Sequence, residues 1–133
     1  MGIRFLPHTA DIKFRVYGKR LEDCFENSCL ALTKIITRGK INSTKTIKIK
    51  IRGKDLENLL YNFLEKILDL FNSKKFLVSK IKVKIDKEKT LVAELTGEKL
   101  TNQKIEQEIK AITYNEMFVK KEDKWVCQVV VDV

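Results

Sequence analysis

An apolar stripe in the middle of the chain sets the strongest limit on its fold. After Asp55, apolar residues recur every three or four positions, which is the spacing of one face of a helix. These residues are Leu56, Leu59, Leu60, Phe63, Leu64, Ile67, Leu68 and Phe71. Asp55 suits the N-cap position, so we expect the helix to begin directly after it. The pattern predicts that the helix ends near Asn72. Because the stripe is wide, we expect this helix to pack on a β-sheet.

A second helix and several strands complete the pattern. Residues 21–37 again show helical spacing, with Glu22, Asp23 and Glu26 in the first turns, where the helix dipole favours acids. The period of a half-buried strand recurs elsewhere and predicts strands at residues 12–17, 46–52, 76–85, 90–96, 108–120 and 125–131, and residues 1–6 run straight into a strand. The predicted fold class is α+β, with mostly antiparallel sheets packed with two amphipathic helices.

Length and composition restrict the class of protein. The chain has 133 residues, which predicts a single domain over residues 1–133. Hydrophobic residues make up 44% and no apolar run approaches the roughly 20 residues that span a bilayer, so we expect no membrane association. The first residues lack the pattern of a signal peptide, and the three cysteines form no CxxC pair. These features predict free thiols in a cytoplasmic protein.

The net charge of +9 is concentrated in one segment. From Lys34 to Lys54 there is no acid and there are eight basic residues, namely Lys34, Arg38, Lys40, Lys45, Lys48, Lys50, Arg52 and Lys54. This basic block can attract RNA such as tRNA, or an acidic protein surface. Lysine is frequent throughout the chain, however, so a merely solvated face explains the block equally well. Both interpretations stay open.

The residues needed for catalysis are scarce. His8 is the only histidine, no serine or cysteine stands in a nucleophile-elbow setting, and the five glycines form no phosphate-binding loop. The aromatic signature of the common RNA-reading sheet is also missing. No catalytic machinery can therefore be recognised from these residues.

Oxygen ligands at the two ends of the chain indicate a cation site instead. Asp11 opens the first alternating run, and Asp132 with Val133 closes the last one. If these strands are neighbours, the two carboxylates and the carbonyl and carboxylate oxygens of Val133 converge at one sheet edge, with His8 close by. Hard cations take such ligands, and a cation removes the repulsion between carboxylates. The alternative, that Asp11 caps a turn and Asp132 is a solvated strand end, stays open.

Several motifs together resemble the archease family. They are Pro-His-Thr-Ala-Asp-Ile at residues 7–12, Leu-Glu-Asp-Cys-Phe at 21–25, Gly-Lys-Asp-Leu-Glu-Asn-Leu-Leu at 53–60, Gly-Glu at 97–98, Glu-Ile-Lys-Ala-Ile-Thr-Tyr at 108–114 and Val-Asp-Val at 131–133. The resemblance follows this order over essentially the whole chain. The combination is specific, whereas each motif alone is weak.

The resemblance implies a protein cofactor of the RtcB-type RNA ligase, which joins tRNA exon halves. Archeases promote guanylylation and multiple turnover of that ligase. They carry a divalent-cation site, usually calcium, whose ligands correspond here to Asp11, Asp132 and Val133; Mg²⁺ and Mn²⁺ accept the same oxygens. Positions Glu98, Glu108 and Lys110 also match the family, and we expect polar or partner-facing roles for them, with His8 as a neighbour of the site.

The chain departs from the family pattern at three places. Asn115 stands where a histidine commonly follows Thr-Tyr, Lys66 stands where an acid is common, and a histidine often found before the Lys-Ala pair has no counterpart. The metal ligands are unaffected. Two other functions stay open: an RNA-binding module based on the basic block and, with less support, a metal-dependent hydrolase that uses Asp11 and Asp132 with His8 as base.

Overall fold

The computed structural model describes residues 2–6 and 11–133. In this part of the chain the order of elements is β1 (Gly2–Leu6), β2 (Asp11–Gly18), α1 (Leu21–Ile36), β3 (Lys45–Arg52), α2 (Leu56–Lys74), β4 (Phe76–Ile85), β5 (Thr90–Lys99), β6 (Ala111–Lys121) and β7 (Trp125–Asp132). All strand pairs are antiparallel. The predicted α+β class with two helices is confirmed.

The strands form two sheets around one hydrophobic core. One sheet has four strands in the order β1-β2-β7-β6, and the other has three in the order β3-β5-β4. Helix α1 contacts β2 and β7 of the first sheet and β4 of the second, while α2 contacts β6 and β3. Each sheet thus turns one face to the helices. The alternation of apolar and polar residues in β3 correctly predicts which face is turned inward, since Ile47, Ile49 and Ile51 all contact the core.

Glutamates from the helices cover the exposed sheet edges. Strand β4 is an edge of the three-stranded sheet, and the Glu26 carboxylate on α1 accepts a hydrogen bond from the Val83 N–H at 2.9 Å. Strand β6 is an edge of the four-stranded sheet, and Glu57 on α2 accepts from the Val119 N–H at 3.1 Å. These bonds use edge groups that could otherwise pair with another chain.

Element boundaries differ from the predicted ones in the second half of the chain. The strand predicted from Glu108 begins later: β6 starts at Ala111, and the segment before it contacts the end of α1, where the Glu106 N–H donates to the Ile36 carbonyl. Strand β5 continues past Gly97 to Lys99. A Cβ at Gly97 would overlap the carbonyl oxygen of Leu77, so this position requires glycine because of close backbone approach.

Candidate functional site

The two carboxylates singled out from the chain ends are direct partners in the structure. Strands β2 and β7 pair from Gly18 with Trp125 to Asp11 with Asp132, which closes the ladder. Residues directly opposite in an antiparallel pair have Cα atoms about 4.5–5.5 Å apart and side chains on the same face. Their neighbours Ile12 and Val131 contact the core, so both aspartates lie on the face away from the helices.

The first residues of β6 lie at the same end of the four-stranded sheet as the two aspartates. Ala111 pairs with Asp132 on its other side, and the Lys110 N–H donates to the Asp132 carbonyl at 2.8 Å. Val133 follows directly, and its half-buried side chain packs against the core. The structure therefore brings Asp11, Asp132 and Val133 together, as the sequence predicted, with the Lys110 backbone beside them. Cation binding at this position stays a prediction.

Part of the predicted site is not described. His8 and the residues around it, 7–10, lie outside the described ranges. Among residues 2–6 and 11–133, no group of three or more His, Cys, Asp or Glu side chains is placed to hold a metal. The described donors are thus two carboxylates and main-chain oxygens.

Glu98 and Glu108 have different surroundings. Glu98 lies on β5 of the other sheet, and only 7% of its surface is exposed. Its carboxylate accepts from Asn42 N at 2.7 Å and from Gln103 Nε2 at 3.0 Å. It therefore joins two loops of its own chain, which is a polar role within the fold. Glu108 and Lys110 are exposed in the segment before β6, which suits a partner-facing role.

An irregular stretch of β6 covers the outer face of the four-stranded sheet. The pairing with β7 is interrupted between Thr113 and Phe118, and Glu116 adopts a positive φ of 55°. The Glu116 carboxylate forms an ion pair with Lys13 Nζ at 2.8 Å, and the Glu116 main-chain carbonyl accepts a hydrogen bond from Gln128 Nε2 at 2.8 Å. Gln128 in turn accepts from Arg15 Nε at 2.7 Å. This polar network was missed from sequence, because the residues before and after the bulge continue the β pattern.

Tyr114, at the end of the Lys-Ala-Ile-Thr-Tyr motif, connects β6 with α2. Its ring stacks on Tyr61 with centroids 4.1 Å apart and an interplanar angle of 6°, and its hydroxyl accepts from Asn58 Nδ2 at 2.7 Å. Burial, together with the nearby Glu65 carboxylate, raises the pKa of Tyr61. Half of the Tyr114 surface, 50%, stays exposed. The pair is thus a fixed aromatic surface at the junction of helix and sheet.

A groove runs from α2 to the start of β6. It has a volume of about 530 Å³ and is lined by residues that include Asn62, Glu65, Lys66, Asp69, Lys110 and Ala111. Lys66 is one of the positions where the chain departs from the family pattern, and it shares this groove with Lys110. The departure therefore changes the charge of this groove.

The three thiols lie in the core. Cys24, Cys29 and Cys127 are all buried and free, which confirms the prediction of free thiols. Burial raises the pKa of the Cys29 thiol, and the nearby Glu26 carboxylate raises it further. A thiol that resists ionisation is a poor nucleophile.

These features define a class: a small α+β protein with two antiparallel sheets, two helices and a carboxylate pair where its first and last long strands meet. The model of the Archease protein family matches residues 4–133. The chain belongs to the archease family. It is 39% identical to protein archease from Pyrococcus abyssi, covering 95% of this chain and 94% of that one. It is 40% identical to the archease of Sulfurisphaera tokodaii, covering 97% and 96%.

Solved structures agree with the fold. The solution structure of Methanobacterium thermoautotrophicum protein 1598 is similar with a TM-score of 0.85 and 31% identity, covering 99% of both chains. The crystal structure of a Thermotoga maritima archease, described there as a possible chaperone, has a TM-score of 0.64 and 23% identity, covering 96% of this chain and 94% of that one. Across the residues described here, no helix is long and apolar enough to cross a membrane.

Proposed function

We propose that this protein is an accessory factor that activates an RtcB-type RNA ligase in tRNA splicing by promoting guanylylation and multiple turnover, without catalysing a reaction itself. Membership of the archease family supports this function. The observation that carries it is the pairing of Asp11 with Asp132, which joins the two most separated motifs of the chain. Free buried thiols suit the cytoplasm as the site of action.

A divalent cation is the second part of the proposal. Two carboxylates side by side repel each other, and a cation between them removes that cost. The Asp11 and Asp132 carboxylates, with a main-chain oxygen of Val133, would hold it. Calcium fits best because it tolerates irregular sets of oxygen ligands, whereas Mg²⁺ demands near-ideal octahedral geometry.

The small number of donors supports an accessory role. Calcium takes about six to eight oxygen ligands, and among the residues that the structure describes the paired aspartates with Val133 supply only part of that set. Water or oxygen atoms of a partner protein would fill the other positions. A cation held in this way can link the end of the four-stranded sheet to the ligase. The exposed side chains of Glu108 and Lys110 next to it are the partner-facing groups in this arrangement.

Ligase turnover tests the function. The purified ligase is assayed on a cleaved RNA substrate with the wild-type protein at a catalytic ratio, and with Asp132→Asn and Asp11→Asn. We expect stimulation by the wild type and loss of stimulation by both variants. Asp123→Asn is the matched control, because Asp123 is an exposed aspartate in the turn at the opposite end of the same sheet. Absence of stimulation by the wild type would overturn the proposal.

Calorimetry tests the cation site separately. Titration with Ca²⁺, Mg²⁺ and Mn²⁺ should give the tightest binding for Ca²⁺ in the wild type and in Asp123→Asn. Binding should be lost in Asp11→Asn and Asp132→Asn. Unchanged calcium affinity in both of these variants would show that the ligands are assigned wrongly.

A further inference from the structure

The outer face of the three-stranded sheet carries six basic side chains from two strands. On β3 the residues that alternate with the core positions are Lys48, Lys50 and Arg52, and on β4 they are Lys80, Lys82 and Lys84. All six are exposed, and their neighbours along each strand contact the core. We call this surface the lysine face. Only half of it comes from the basic block identified in the sequence.

The strand register arranges these charges as a flat grid. Strand β5 lies between the two basic strands, so that Lys48, Glu94 and Lys82 form one row, and Lys50, Val92 and Lys84 form the next. Successive rows are about 6.7 Å apart and the two basic strands about 9.6 Å apart. Glu94 is the single acid in the grid, and Val92, 44% exposed, lies beside it.

Among residues 2–6 and 11–133, none of the six basic side chains of this face forms an ion pair, and Glu94 is the one acid between them. The ion pairs among the described residues lie elsewhere: Lys13 with Glu116, Arg20 with Asp23, and Lys66 with Asp69. On the outer face of the other sheet, by contrast, Lys13 and Arg15 are engaged in the network of Glu116 and Gln128. Basic side chains that follow each other on one face of a strand are about 6.7 Å apart, close enough to repel one another. A polyanion bound to the lysine face would offset this repulsion.

The composition of the face favours nucleic acid over a protein partner. Lysine is depleted in protein–protein interfaces, whose cores are enriched in aromatic residues, Met and Arg. The grid carries no aromatic side chain, so it cannot stack bases as the RNA-reading sheets do. Lysine is a point charge that suits phosphate oxygens, and bidentate reading of bases favours arginine. We propose that the lysine face binds the phosphate backbone of RNA without reading its sequence.

Salt-dependent binding tests this proposal in the absence of any ligase. Fluorescence anisotropy with a labelled oligouridylate and a labelled RNA duplex is measured between about 50 and 200 mM salt. The variant Lys48→Gln/Lys50→Gln/Lys82→Gln removes three charges from the centre of the grid. Its matched control, Lys19→Gln/Lys74→Gln/Lys104→Gln, removes three exposed charges from outside the face.

Removing lysines and removing the glutamate should change the RNA affinity in opposite directions. For the oligouridylate, the slope of log affinity against log salt should fall by about 0.7 for each lost contact, so the first triple variant should bind at least about tenfold more weakly near 0.1 M salt. The control should bind close to the wild type. Glu94→Gln should bind more tightly, because it removes the only carboxylate of the grid.

Two results would overturn the proposal. One is equal loss of RNA affinity in both triple variants, which would reflect net charge alone. The other is binding of the ligase, but not of RNA, through the lysine face, which would make it a protein-docking surface. Because the assay contains no ligase, RNA binding can be established even if ligase activation fails, and ligase activation can hold if RNA binding fails.

Discussion

Asp11 and Asp132 are directly opposite each other in the last pair of the β2–β7 ladder, on the face away from the core. Two carboxylates in such a pair reduce the stability of a sheet. Hydrophobic packing accounts for the neighbouring residues Ile12 and Val131, but it gives no reason for acids at both of these positions. A function that needs two adjacent oxygen donors does give a reason.

Calcium should therefore stabilise the protein through Asp132. Without calcium, Asp132→Asn should be as stable as the wild type or more stable by about 0.2–1 kcal/mol, because the repulsion is relieved. At calcium one hundred times its dissociation constant, the wild type should gain about 2.7 kcal/mol and Asp132→Asn almost nothing. Thermal unfolding with chelator and with calcium measures both effects. An equal calcium-dependent gain in the two proteins would contradict the site.

Glu98 should act on stability and only indirectly on function. Glu98→Ala removes the acceptor of Asn42 N and one of the two acceptors of Gln103 Nε2, which also donates to the Lys40 carbonyl, so it should cost about 1 kcal/mol in urea unfolding. Glu98→Gln retains a carbonyl oxygen that both donors can reach, so it should lose much less stability. It should also retain ligase stimulation. A stable Glu98→Gln protein that no longer stimulates the ligase would show that the carboxylate itself meets the partner.

The stacked pair of Tyr61 and Tyr114 should stabilise the contact between α2 and β6. A double-mutant cycle with Tyr61→Ala and Tyr114→Ala should give a coupling of about 0.5–1.5 kcal/mol, as is usual for aromatic pairs. Tyr114→Phe keeps the ring and loses only the bond from Asn58, so its effect should be smaller. Chemical denaturation of the four proteins measures the coupling. Additive losses would show that the rings are adjacent without interacting.

The spacing of apolar residues along the chain predicts the individual helices and strands of this fold well. The apolar stripe after Asp55 became α2, and the Asp55 carboxylate accepts from Asn58 N at 2.7 Å, as the predicted cap requires. The alternation in residues 46–52 became β3 with its isoleucines inward. The periods of helix and strand depend only on backbone geometry, which is why one sequence is enough to identify them.

Features that depend on distant parts of the chain could not be predicted in the same way. The pairing of Asp11 with Asp132 was conditional on β2 and β7 being neighbours, and no local pattern decides that. The lysine face depends on the strand order β3-β5-β4, which brings Lys82 to the same surface as Lys48. The segment before β6 bonds through Glu106 N to Ile36 O, a contact between residues seventy positions apart that no local pattern predicts.

Acid should destabilise the protein partly through Asp23. Burial alone would raise the pKa of this carboxyl, but the hydrogen bonds from the Arg20 N–H and guanidinium, with the charge of Arg20, outweigh burial and lower it below its ordinary value of 3.8. A lowered pKa in the folded state means stability that is present above the ordinary pKa and is lost as the pH falls through the folded value. Asp23→Asn should therefore be less stable than the wild type at neutral pH, and the difference should shrink in acid. Urea unfolding over a pH series measures this, with Glu22→Gln in the same helical turn as the control. A difference that does not change with pH would mean that the carboxylate charge contributes nothing to the start of α1.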